Sequence, residues 1–166
     1  MKPKFYLSFF LVAIIFVGFS CSKDEIAPET TRTVPKATIK GKVWADLDAS
    51  SNGPGLEAGP SGLKIIAQIW APDLAEGTVR VPETYINYET TTNGSGEYTI
   101  EVDATTAGLT VTLVSDDFTY NQVQGIDPVS GLQIPPQRTI YWTDFYQIFA
   151  ISGGTLIQDI VYNTSK

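Results

Sequence analysis

The stretch from Thr90 to Val114, TTTNGSGEYTIEVDATTAGLTVTLV, constrains this chain more than any other. Tyr98, Ile100 and Val102 alternate with Thr99, Glu101 and Asp103, and further on Leu109, Val111 and Leu113 alternate with Thr110 and Thr112. A period of two places apolar side chains on one face and polar ones on the other, which is the pattern of half-buried antiparallel strands over a core. Asn93-Gly94-Ser95-Gly96 tolerates positive φ and reads as a tight turn, so that Thr84 to Thr92 and the strand from Tyr98 form the two arms of a β-hairpin. Asp103 to Gly108 is a second break, and the strand from Leu109 follows it. Fold class is set by this stretch; activity is not.

The rest of the chain has the same grain. Ala37 to Asp46 is the first strand, with Ile39, Gly41, Val43 and Ala45 on one face and Lys40, Lys42 and Trp44 on the other. Asp48 to Gly62 carries Gly53, Pro54, Gly55, Gly59, Pro60 and Gly62, too many breakers for regular structure, and is a long loop. Leu63 to Trp70 is apolar on both faces, as a central strand is. Ala71 to Pro82 is a loop or insertion. Asn121 to Arg138 holds Pro128, Gly131, Pro135 and Pro136 and is long for a connection within a compact domain. Thr139 to Ile151 is rich in aromatic and β-branched residues and reads as strand, and Gly153-Gly154 turns it into Thr155 to Asn163 as a carboxy-terminal hairpin. No stretch shows sustained helical periodicity. The expectation is an antiparallel β-sandwich of about seven strands, with Val43, Ile65, Tyr98, Ile100, Leu109, Val111 and Leu113 in its core.

The residues Gly41 and Val43, then Gly62, Leu63 and Ile65, then Thr91, Thr92, Gly96, Tyr98, Ile100 and Val102 resemble the carboxypeptidase-regulatory-like, transthyretin-like and collagen-adhesin B-type modules. The likeness spans about Thr38 to Val114. It implies a Greek-key, prealbumin-like sandwich and, because those modules are mostly non-catalytic, an accessory or structural role.

The first twenty residues carry Lys2 and Lys4, then an almost wholly apolar run from Phe5 to Phe19, then Ser20-Cys21. The run is shorter than the roughly 20 residues of a spanning helix, and its basic, apolar, small order is that of a secretory signal. Cys21 is the only cysteine, so it has no partner for an internal disulfide. Its placement resembles the lipidated cysteine of bacterial lipoproteins, with Gly18 where Leu is usual in that motif. Ser22-Lys23-Asp24-Glu25 is similar to the acidic tag of outer-membrane lipoproteins in Bacteroidota. The resemblance implies residues 1–20 as signal peptide, an acylated Cys21 and lipid-anchored display on the outer membrane, facing the exterior; Ser22 to Lys36, with Pro28, Pro35, three Thr and no apolar periodicity, reads as a solvated tether within 21–36, and the length left, 37–166, suits one domain. Composition agrees with display of this kind: once the signal with its two lysines is gone, 9 basic residues face 18 acidic ones. A chain this acidic repels nucleic acid and anionic lipid alike, so the membrane contact falls to the acyl group.

Catalytic chemistry has little material. With no histidine there is no histidine triad and no histidine metal site. Carboxylate pairs such as Asp116-Asp117, Asp46 with Asp48, and Asp144 read as surface acids, so the chain is expected not to be an enzyme. Asp46, Asp48, Ser50, Asn52 and Glu57 place oxygen ligands at alternate positions with a glutamate eleven residues after the first, the spacing of a calcium loop, although Ser51 stands where glycine is usual. The same stretch resembles the calcium-binding B repeats of surface adhesins; its composition is equally that of an ordinary turn. Trp44 and Trp142, among three tryptophans and several tyrosines, are candidates for stacking on sugars, against the competing role of aromatics as core filler. Residue types alone permit, without favouring, an adhesin-type isopeptide between Lys40 or Lys42 and Asp159 or Asn163, with Glu101 as relay. The function these features imply is a non-enzymatic, surface-anchored module for adhesion, assembly or accessory binding of an extracellular protein. The alternative is a glycan-binding component of an outer-membrane polysaccharide uptake system.

Overall fold

A computed structural model of the protein describes residues 34–50, 55–75 and 81–164, all within one compact unit, Thr33–Lys166. The signal segment, Cys21, most of the tether and Asn52 lie outside the described residues. Among the described residues, twelve strands, several of them short, and a single 3₁₀ turn at Ala71–Leu74 make up the regular structure.

The long strand β1 (Lys36–Ala45) is the axis of the first sheet. Along one edge it pairs antiparallel with β5 (Glu97–Asp103) and, near its end, with β2 (Glu57–Ala58). Along the other edge it pairs in parallel with β10 (Thr155–Ile157) and β11 (Ile160–Val161). The second sheet has the order β4 (Tyr85–Thr91), β3 (Lys64–Trp70), β6 (Leu109–Ser115), β9 (Tyr146–Ala150), all antiparallel. A third, smaller sheet joins β7 (Phe118–Gln122), β8 (Gln137–Trp142) and β12 (Asn163–Thr164).

Alternation explains how these sheets close. Ile39, Val43 and Ala45 of β1, Tyr98, Ile100 and Val102 of β5, and Ile160 of β11 turn to the same core as Ile65, Ala67 and Ile69 of β3 and Leu109, Val111 and Leu113 of β6. All seven residues expected in the core are buried. Each fully buried Ile, Leu or Val side chain contributes roughly 1.5–3 kcal/mol relative to exposure, so the inward faces of the two main sheets hold the sandwich together. One end is closed by aromatics: Phe118 stacks on Tyr141 at 4.8 Å and meets Tyr162 edge-on at 4.9 Å. The phenol of Tyr141 donates to the Asp46 carbonyl at 2.6 Å and that of Tyr162 to the Asp116 carbonyl at 2.6 Å, so both rings bring a satisfied polar end into the apolar end-cap.

Three sequence expectations are corrected. The arms on either side of Asn93–Gly96 are not paired with each other: β4 belongs to the second sheet and β5 to the first, so the turn arches across the core. The stretch Thr139–Ile151 is not one strand but two, β8 and β9, broken at residues 143–145 and lying in different sheets. Gly153-Gly154 likewise carries the chain from the second sheet to the first, where β10 and β11 run parallel to β1 rather than forming a hairpin with β9.

Candidate functional site

The long connection between Asn121 and Arg138 folds as a projecting hairpin. β7 and β8 pair from Phe118 and Tyr141 out to Gln122 and Gln137, and an isolated bridge joins Ile126 to Gln133 beyond them. The tip is closed by its own bonds. Asp127 accepts the Val129 N–H at 2.9 Å and the Ser130 hydroxyl at 2.7 Å, while its backbone accepts the Gly131 N–H at 2.8 Å and donates to the Leu132 carbonyl at 2.8 Å. The Ser130 hydroxyl and the Val129 N–H hold the Asp127 carboxyl below the ordinary carboxylate range. An aspartate that bonds its own following backbone is a self-contained turn. On this built tip Ile126, Val129 and Leu132 are 65%, 94% and 69% exposed.

The root of the hairpin is tied to the end of β1. The Gln122 amide and the Tyr141 phenol both donate to the Asp46 carbonyl, the Val123 N–H donates to Leu47, and the Ala49 N–H returns to Val123. These bonds occupy the segment that the sequence suggests as a calcium loop. Glu57 turns its carboxylate onto the backbone, accepting from the Leu47 N–H at 2.7 Å and the Asp48 N–H at 3.3 Å. Asp48 accepts from the Ser50 N–H at 2.9 Å and from the Ser50 hydroxyl, which lowers its pKa. Among the described residues no three carboxylate, thiolate or imidazole groups converge in a way that would hold a metal ion. Glu57 thus acts as a backbone cap for Leu47 and Asp48, and Asn52, the remaining member of the suggested calcium loop, lies outside the described residues.

Trp44 and Trp142 are placed differently from each other. Trp44 is half-buried on β1, its indole N–H donates to Asp159 at 3.0 Å, and the Lys42 ammonium lies 4.3 Å over its ring. One face of the ring is thus covered by a cation. Trp142 is exposed on β8, opposite Asn163 of β12. The ring contacts found among the described residues lie elsewhere, including a pair on the second sheet, Trp70 with Tyr85, at 5.0 Å and 59°. Asp159 also accepts the Lys42 backbone N–H at 2.9 Å, in an exposed setting, so its carboxylate is directed at backbone and indole and not at a lysine amine. No isopeptide geometry is assembled at Lys42, and Glu101 lies on β5 opposite Thr38 of β1.

Asp116 and Asp117 are exposed between β6 and β7, and Asp144 is exposed between β8 and β9. The phenols of Tyr88 and Tyr141 are pushed up to about 12, chiefly by burial, and those of Tyr98 and Tyr162 are pushed up by the same cause. These are structural phenols with carbonyl, hydroxyl or carboxylate partners.

No protein-family model matches the chain, and no curated protein matches it. Among solved structures, the chain is similar to the shaft pilin SpaA from Lactobacillus rhamnosus GG, with 9% identity and a TM-score of 0.43 over 81% of this chain and 52% of the pilin. It spans about half the pilin's length. A second likeness is to the major plantain pollen allergen Pla l 1, at 13% identity and a TM-score of 0.36 over 79% of this chain and 97% of the allergen.

Proposed function

We propose that this chain is a non-enzymatic, lipid-anchored surface module that binds an extracellular protein through the tip of the β7–β8 hairpin. One observation carries the reading: three large aliphatic side chains are displayed in solvent on a turn whose backbone is already fixed by its own hydrogen bonds. Exposing apolar area in water has no benefit for the free domain, and a preorganised apolar protrusion loses little conformational entropy when it enters a partner's groove. The Lys2 to Cys21 layout supports display outside the cytoplasm, and acylation of Cys21 supplies the membrane contact that an acidic domain lacks. The β-sandwich below the tip supplies a rigid base for a recognition loop.

The test is site-specific crosslinking on intact cells. A photoreactive side chain at Val129 should give a discrete adduct with one surface or extracellular protein. The triple change Ile126→Ser, Val129→Ser, Leu132→Ser should abolish binding of that partner while moving stability by no more than about 0.5 kcal/mol, as exposed substitutions do. Absence of an adduct, or full partner binding by the triple variant, defeats the proposal.

A further inference from the structure

The outer face of the β4–β3–β6–β9 sheet carries a second pattern, independent of the hairpin tip. Strand registers place Asn87, Gln68, Thr112 and Gln147 in one row across all four strands. Each member is a neutral hydrogen-bonding side chain, and Gln68 donates to Asn87 at 3.3 Å. Among the described residues the Thr112 hydroxyl and the Gln147 amide have no hydrogen-bond partner. The adjacent positions along the strands hold Tyr85 opposite Trp70 and Thr110 opposite Phe149. Tyr85 and Phe149 are 57% and 55% exposed, and Tyr85 rests against the Trp70 ring. Phe149 lies over Gly108, where a Cβ would come within 2.3 Å of its ring, so the absence of a side chain there is what lets the ring settle on the face. With strands about 4.8 Å apart, the aromatic positions span three intervals, roughly 14 Å.

We infer that this face binds a neutral, extended oligosaccharide. Aromatic faces stack against the apolar C–H faces of pyranose rings, while carboxamides and hydroxyls pair with sugar hydroxyls as both donors and acceptors. A row of four polar groups is ill suited to an apolar protein patch, because burial without partners costs about 1–3 kcal/mol per group, whereas a sugar offers a hydroxyl to each. Charge selects neutral over acidic glycans. The two rows contain no ionised side chain, the Lys64–Glu89 pair at 2.8 Å on the same face is internally balanced, and the chain as a whole carries a formal charge of −7.

The experiment is affinity electrophoresis of the folded domain in gels containing a mixed-linkage β-glucan, a galactomannan, a xylan or an α-glucan, with polygalacturonate as the anionic comparison. At least one neutral polysaccharide should retard the protein and polygalacturonate should not. Trp70→Ala and, separately, Gln147→Ala should weaken that retardation at least tenfold, with Gln147→Ala serving as the exposed change that leaves the melting temperature in place. The triple serine variant of the hairpin tip should be retarded like the wild type, so the two proposals stand or fall apart. No retardation in any neutral gel, equal retardation by polygalacturonate, or full retardation of both Trp70→Ala and Gln147→Ala overturns the inference.

Discussion

Gly41 sits midway along β1, where the parallel partner strand is interrupted between β10 and β11. At that break the Gln158 carbonyl leaves the ladder and accepts the Tyr98 phenol at 2.5 Å, and the Asp159 carboxylate takes the Lys42 N–H in place of a backbone carbonyl. A Cβ on residue 41 would lie 1.8 Å from the Gln158 oxygen and 2.9 Å from the Tyr98 ring. Gly41→Ala is therefore expected to cost at least about 1–3 kcal/mol by overpacking, read from urea melts; a change within about 0.5 kcal/mol would mean that the carbonyl does not occupy that position. The sequence marks Gly41 as an inward position of an alternating strand and as part of the module resemblance, but gives no steric reason for glycine there, because the group it accommodates comes from a residue more than a hundred positions away. The phenols of buried Tyr98, Tyr141 and Tyr162 and of half-buried Tyr88 give a second test at this scale. Their folded pKa values lie above the ordinary value near 10, so the folded state holds its phenol protons more tightly than the unfolded chain. The stability they contribute is complete below about pH 10 and is lost as pH rises toward about 12, the value for Tyr88 and Tyr141. Tyrosinate absorbance should develop in two stages, the later one coinciding with loss of near-ultraviolet dichroism. A single stage near pH 10 with the fold intact would contradict the burial of these rings.

Strands were legible in the sequence and their partners were not, for a physical reason. Alternation reports that one face of a strand is buried, and β4, β5 and β6 all show it. It is identical whether the next strand pairs alongside or crosses the core to face the first, so Asn93–Gly96 reads equally as a hairpin turn or an arch. What decides it is long-range: β5 finds β1, and Thr92 is buried beneath the arch, taking the Leu63 N–H and donating to the Pro60 carbonyl. The candidate site divides in the same way. The sequence marks residues 121–138 only as a long connection rich in breakers, so the exposure of Ile126, Val129 and Leu132 on one tip was not legible there, and the polar row on the second sheet exists only through register. Glu57 shows the converse, a residue whose spacing suggested calcium and whose carboxylate caps two backbone N–H groups. Glu57→Gln replaces charge-assisted bonds with neutral ones and should cost about 1 kcal/mol, with no effect of a calcium chelator on the melting temperature of either protein. A chelator-dependent fall in the wild type, absent in Asp48→Ala, would instead support calcium binding by this loop.

Across the whole molecule, β1 sets a direction. Its ten residues rise about 33 Å at roughly 3.3 Å each, from Lys36, next to the expected tether, to Ala45, whose continuation through Asp46 and Ala49 holds the root of the β7–β8 hairpin. The apolar tip thus emerges at the end of the domain opposite the one where the chain enters from its amino-terminal side. Under the proposed anchoring through Cys21, this tip is the feature whose outward display is open to direct test. Two measurements on cells test this arrangement together. Cys21→Ala should shift the protein from the membrane fraction to the soluble fraction while leaving the melting behaviour of the domain unchanged, since Cys21 precedes β1 by 15 residues. A short epitope inserted after Val129 should be labelled by antibody on intact cells carrying the wild-type anchor. Continued membrane association of Cys21→Ala would defeat the acyl anchor. An epitope reached only after the cells are opened would defeat outward display even if the anchor holds.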